Sequence, residues 1–228
     1  MYFGTKLRKL NRNSYFSKSI TTKIIIMIKK IVLSLLIVSF VTINLYSQDA
    51  KKNVENDFLT YLGHLMNHEF TESIEYLYPE LFESVTKELM IETLEQTFNN
   101  PDIKISITMP KVHKVGEIRY IDSAYYCKLN YSHYMNMSFD NSDTTITLSE
   151  IDTRDNMTLT SLEGTFGVEN VSYDPTNSSF EILSAKDCYA KSETGLTNWK
   201  FIDVDKNNMM IMNLVLPKQI IDEINSEE

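Results

Sequence analysis

From Tyr125 to Phe139 the chain alternates without interruption. Tyr125, Cys127, Leu129, Tyr131, His133, Met135, Met137 and Phe139 fall in one phase; Tyr126, Lys128, Asn130, Ser132, Tyr134, Asn136 and Ser138 fall in the other. Successive strand side chains point to opposite faces, so period two means one long strand with an apolar, covered face and a polar, wet one. Parallel strands are covered on both faces and read as continuous apolar runs, so this strand belongs to an antiparallel sheet. It needs partner strands of similar length and a helical layer over one face, which excludes all-helical and doubly wound folds.

The flanking segments supply those parts. Val54, Phe58, Tyr61, Leu62 and Leu65 form one apolar stripe at helical spacing, ending near Asn67–His68. Thr71 suits the cap of a second helix, Pro79 the first turn of a third element, and Thr86 the cap of a helix carrying Met90, Ile91, Leu94 and Phe98. Asn99-Asn100-Pro101 stops that helix, because proline disfavours helical backbone in the residue before it. Ile103, Ile105, Ile107 and Met109 then alternate as a half-buried strand, and residues 120–124 read as a turn. Residues 150–165 read as a helix ending near Gly167, and 168–173 as a short strand before the Asp174-Pro175-Thr176-Asn177 turn. Residues 180–191 and 198–204 read as strands joined through Thr194-Gly195, and Pro217 opens a last helix with Ile220, Ile221 and Ile224. The economical arrangement is α+β: N-terminal helices packed on a curved antiparallel sheet.

Upstream lies a second informative stretch. Met27, Lys29–Lys30, an apolar run from Ile31 to about Leu45, and Leu45-Tyr46-Ser47-Gln48 have the order of a secretory signal peptide. Ser34, Ser39, Thr42 and Asn44 leave the run short of the ~20 apolar residues that a membrane span needs. The reading is a signal over 27–47 cleaved near Ser47, one domain over 48–228, and an upstream start or leader over 1–26. The protein is then exported, periplasmic or secreted, with no membrane anchor after cleavage. Eight of the 22 basic residues precede the cut and all 31 acidic residues follow it. The segment after Ser47 therefore carries a formal charge of −17 (14 basic residues against 31 acidic). That argues against nucleic acid or an anionic membrane as partner, since both demand a basic footprint.

Chemistry-bearing motifs are scarce. Cys127 and Cys188 lack zinc-site spacing and read as two buried thiols, a disulfide being the alternative that an oxidising compartment permits. His64 and His68 are four apart on a helix edge, but no Glu follows the first and no third ligand is evident, so no metal is expected. His113, beside Lys111 and Lys114, reads as exposed. Asp203-x-Asp205-x-Asn207 starts like a calcium loop, then has Asn208 and Leu214 where the motif needs Gly and Glu. No nucleotide fingerprint, phosphate loop or nucleophile elbow occurs, so neither a cofactor nor a catalytic set is expected.

The helix Val54–Met66, HEFTESIEYLYPELFE (68–83), FGVENVSYD (166–174) and WKFI (199–202) resemble segments of the nuclear transport factor 2-like superfamily. This is the cone-shaped α+β fold shared with ketosteroid isomerases and polyketide cyclases. The resemblance covers residues 50–226, departs from the minimal pattern between Asp140 and Gly167, and looks closest to small secreted members. It implies a pocket between the helices and the concave sheet, without implying one chemistry. His133, the polar member of the apolar phase, is then the first ligand contact to expect, with Tyr131, Tyr125 and Met135 as neighbouring pocket candidates. By phase Asp203 could also point inward, whereas Asp187 is opposite in phase to Cys188. The expected role is a non-catalytic binding domain for a small apolar or amphipathic ligand or a partner protein. The alternatives are an isomerase, cyclase or hydrolase using a pocket His or carboxylate, and a protein–protein module, with a homodimer possible, acting through the sheet face that carries Tyr126 and Tyr134.

Overall fold

A computed structural model describes residues 48–142 and 145–226, all of which except Gln48 fall in a compact unit beginning at Asp49. The leader and signal assigned to 1–47 lie outside the described residues. Helix α1 covers 48–66 and buries Val54, Phe58, Leu62 and Leu65, the stripe anticipated from spacing. It ends where His68 takes a left-handed φ of 61°. Helix α2, Phe70–Ile74, starts from Glu69 rather than Thr71 and has no side-chain cap. A 3₁₀ turn spans Pro79–Glu83. Helix α3, Lys87–Phe98, is capped by Thr86, whose hydroxyl accepts from the Leu89 N–H at 3.2 Å.

Among the described residues, six antiparallel strands form one open sheet four rows wide. These are β1 Ile103–Val115, β2 Arg119–Ile121, β3 Ala124–Phe139, β4 Val171–Asp174, β5 Ser179–Ser192 and β6 Lys200–Asp203. The central pair β3–β5 is in register from Tyr125↔Ser192 to Ser138↔Ser179. Strands β1 and β2 share the free edge of β3, and β4 and β6 share that of β5. Helix α4, Leu148–Phe166, begins with a reciprocal cap between Thr147 and Glu150 and stops at Gly167, φ 91°. Helices α5, Met209–Val215, and α6, Lys218–Ser226, close the chain.

The face of β3 carrying Cys127, Leu129 and Tyr131, the inner face, packs with Cys188, Ala190, Trp199 and Phe201 under α1. Helix α4 lies against the other end of that face, where the Tyr173 hydroxyl bonds Asp155 at 2.7 Å and Arg154 stacks 3.9 Å from the Phe139 ring centroid.

Three expectations need correction. The second phase of β3 is not wet throughout: Ala124 and Tyr126 are buried with Tyr189 and Ile202 beneath α5 and α6. α5 left no clear periodic signal, and Ile220, Ile221 and Ile224 of α6 need an apolar surface of their own. Residues 120–124 are not all turn, since Arg119–Ile121 pairs with β3 and only Asp122 and Ser123 reverse the chain, both at positive φ. Met109 does not join the covered row. The register shifts between Thr108 and Lys111, Met109 takes φ 49°, and its side chain is 65% exposed. Pro110, lacking an N–H, cannot continue the ladder there, and a bulge results.

Candidate ligand site

His133 lies midway along β3 on the inner face, opposite Ser184 of β5, and both are buried. Its ring stacks on Tyr131, with centroids 5.8 Å apart and planes at 17°. Its Nδ1 is buried without a hydrogen-bond partner. Towards α4 the floor is apolar, with Ile105, Ile107, Met135 and Met137 half-buried and Ile182 and Phe180 fully buried. Met135 lies between Ile107 and Ile182, and Met137 between Ile105 and Phe180.

Towards α1 the floor turns polar. Tyr131, 3% exposed, meets Phe58 edge-on at 4.6 Å and donates its hydroxyl to both Asp203 oxygens at 2.8 Å. Lys186, opposite Tyr131 on β5, donates to Asp203 at 3.2 Å. Burial, then the Asp203 charge, holds the Tyr131 phenol well above the usual range, and the same two causes act on Tyr61 of α1. Burial, then the Lys186 ammonium, lowers the His133 imidazole, against an opposing pull from Asp203. His133 is therefore neutral at pH 7, with one ring nitrogen able to accept and the other to donate.

The structure brings His133, Tyr131 and Met135 together and sets Tyr125 apart. Tyr125 lies eight residues along β3, about 27 Å away at strand rise, beside Ser192 and against Gly195. Asp203, inward by phase, does face Tyr131. Ser184 and Lys186 were missed, although their signal resembles that of His133: both interrupt the apolar phase Phe180, Ile182, Cys188, Ala190. Asp187 faces the other way and pairs with Lys128 at 2.7 Å. His64 bonds Glu69 at 2.6 Å, His68 stacks on Phe70, and exposed His113 bonds the Ser132 hydroxyl at 2.7 Å. The calcium-like run is a turn in which Asp205 accepts from the Asn207 N–H.

These features define an α+β domain built on an open antiparallel sheet, with a polar break in one helix-covered face. No family model, curated protein or solved structure matches the chain.

Proposed function

We propose that residues 48–228 form an exported, nuclear transport factor 2-like binding domain that holds a small amphipathic ligand on the inner sheet face, with His133 as its polar contact. The observation that carries this reading is the unpartnered Nδ1 of buried His133 beside the half-buried floor of Ile105, Ile107, Met135 and Met137. Burying a polar atom without a partner costs about 1–3 kcal/mol, and a ligand headgroup that bonds the imidazole removes that cost while its apolar part covers the methionines. A catalytic role has less support, because Asp203, the carboxylate whose charge acts on His133, is already engaged by Tyr131 and Lys186.

Native mass spectrometry of protein recovered from its own exported fraction tests the reading. A bound mass that organic extraction removes, and that His133→Ala loses while remaining folded, is the expected result. Protein that carries no extractable molecule and binds no long-chain fatty acid in a fluorescent-analogue titration would overturn it.

A further inference from the structure

The other half of the opposite, outer face is covered by no helix among the described residues and holds a cleft of about 400 Å³. Its floor is two neighbouring rungs of the sheet. One reads Ser106, Asn136, Glu181, Ser172 across β1, β3, β5 and β4; the next reads Lys104, Ser138, Ser179, Asp174. All eight residues line the cleft. We propose that this trough is a binding site for a neutral saccharide chain.

Three features of the floor argue for that ligand. First, serine is a poor strand former, and exposed sheet positions ordinarily favour β-branched or aromatic side chains that pack across strands. Here Ser138 faces Ser179 on the two central strands, flanked by longer Lys104, Asn136, Glu181 and Asp174, so the short hydroxyls cut the depression. Second, a serine hydroxyl both donates and accepts, as does the Asn136 amide, which matches the dual capacity of sugar hydroxyls. Glu181 adds an acceptor. Asp174 is pre-positioned by bonds from the Thr176 N–H and the Asn177 amide, both 2.8–2.9 Å. Third, half-buried Tyr134 stands in the adjoining rung of the same face, between Thr108 and Leu183. It does not line the cleft itself but lies one rung beyond Asn136, about 7 Å along the strand, within reach of a chain that extends past the cleft and stacks a sugar's C–H surface on its ring.

The ends of the trough set the length of ligand. Among the described residues β1 and β4 are the edge strands at this end of the sheet, so the floor, about 14 Å across at ordinary strand spacing, has no further strand on either side. It admits an internal stretch of a polymer as readily as a terminus. One lysine against two carboxylates disfavours phosphate-rich ligands. The eight floor side chains include no large apolar anchor of the kind on which a protein interface centres. This site is independent of the ligand proposed at His133 on the other face.

Affinity electrophoresis of the exported chain through gels containing laminarin, galactomannan, xyloglucan or glycogen tests the assignment. Retardation by at least one is expected. Filling the floor with Ser138→Leu/Ser179→Leu should weaken it about tenfold, the loss of two neutral hydrogen bonds. Glu181→Gln, a milder change, should weaken it while the emission of buried Trp199 stays unchanged. Mobility unaffected by all four polysaccharides would overturn the proposal, as would retardation that neither variant alters. So would a dimer in light scattering that the double variant abolishes, since the face would then be a contact between copies.

Discussion

The hydroxyl of Tyr131 donates to both carboxylate oxygens of Asp203, at 2.8 Å each, tying the centre of β3 to the end of β6 across 72 residues of sequence. Lys186 completes the group from β5, so three strands meet at one carboxylate. Asp203 is partly exposed, and its worth is that of a charge-assisted hydrogen bond rather than of a buried ion pair. Tyr131→Phe should destabilise by about 1 kcal/mol and Asp203→Ala by about 2 kcal/mol. The double variant should cost less than the two together, because each change removes the same bond. Urea unfolding of the four proteins measures this; additive losses would show that the bond contributes nothing.

His133 makes stability depend on pH in a defined window. Its folded pKa lies below the ordinary 6.5, lowered by burial and by Lys186, with Asp203 opposing. Below that ordinary value the unfolded chain takes up a proton that the native imidazole refuses, so stability falls as pH drops from about 6.5 towards the folded value. Glu117, Asp155 and Glu223, also held low in the native state, act in the same sense but in a separate, more acidic window. Their contribution is present above the ordinary carboxylate values of 3.8–4.5 and is lost below them. Between pH 7.5 and 5.5 the wild-type urea midpoint should therefore fall more than that of His133→Asn. Parallel curves would place the imidazole in water.

Legibility followed the range of the interactions. Thr86 and Thr147 act within one turn, and Thr86 was readable as a cap from its own neighbourhood. Thr147 was obscured by the β-branched run Thr144–Thr147, which has strand propensity. The long alternation of β3 specified both its length and its apolar face, because register with β5 preserves phase along the whole pair. The burial of Tyr126 was not readable, since it depends on where α5 and α6 return, some 90 residues later. Half of the candidate site behaved likewise. His133 stood out as the polar residue in an apolar phase, but only strand pairing sets Ser184 and Lys186 beside it and takes Tyr125 away.

Asp155, its side chain 1% exposed, anchors α4 to the sheet. It receives Arg154 at 2.7 and 2.9 Å and the Tyr173 hydroxyl at 2.7 Å. Burial pushes its carboxyl up, but hydrogen bonds from Ser178, Tyr173 and Arg154, together with the guanidinium charge, leave it below the usual range. Asp155→Ala strands the tyrosine hydroxyl and should cost about 3 kcal/mol; Tyr173→Phe should cost about 1 kcal/mol. Hydrogen exchange should show the Asp155→Ala loss first in α4 and β4, and uniform loosening of the whole domain would contradict the anchoring role.

Cys127 pairs in register with Ala190, and Cys188 with Leu129, so the two thiols sit diagonally on neighbouring strands of one face, each fully buried and free. Diagonal neighbours stand about 7–8 Å apart, beyond the usual reach of a disulfide at about 4.4–6.8 Å between Cα atoms. Burial pushes the Cys127 thiol up to about 12, with Lys51 opposing, and holds Cys188 well above its ordinary value. The thiolate is the reactive form, so native protein at pH 8 should resist iodoacetamide, while protein in guanidinium should gain two adducts by intact mass. A native mass two hydrogens light, with no adducts after unfolding, would mean that the strands shift enough to join the sulfurs. Rapid native labelling of either cysteine would mean that α1 does not seal the inner face.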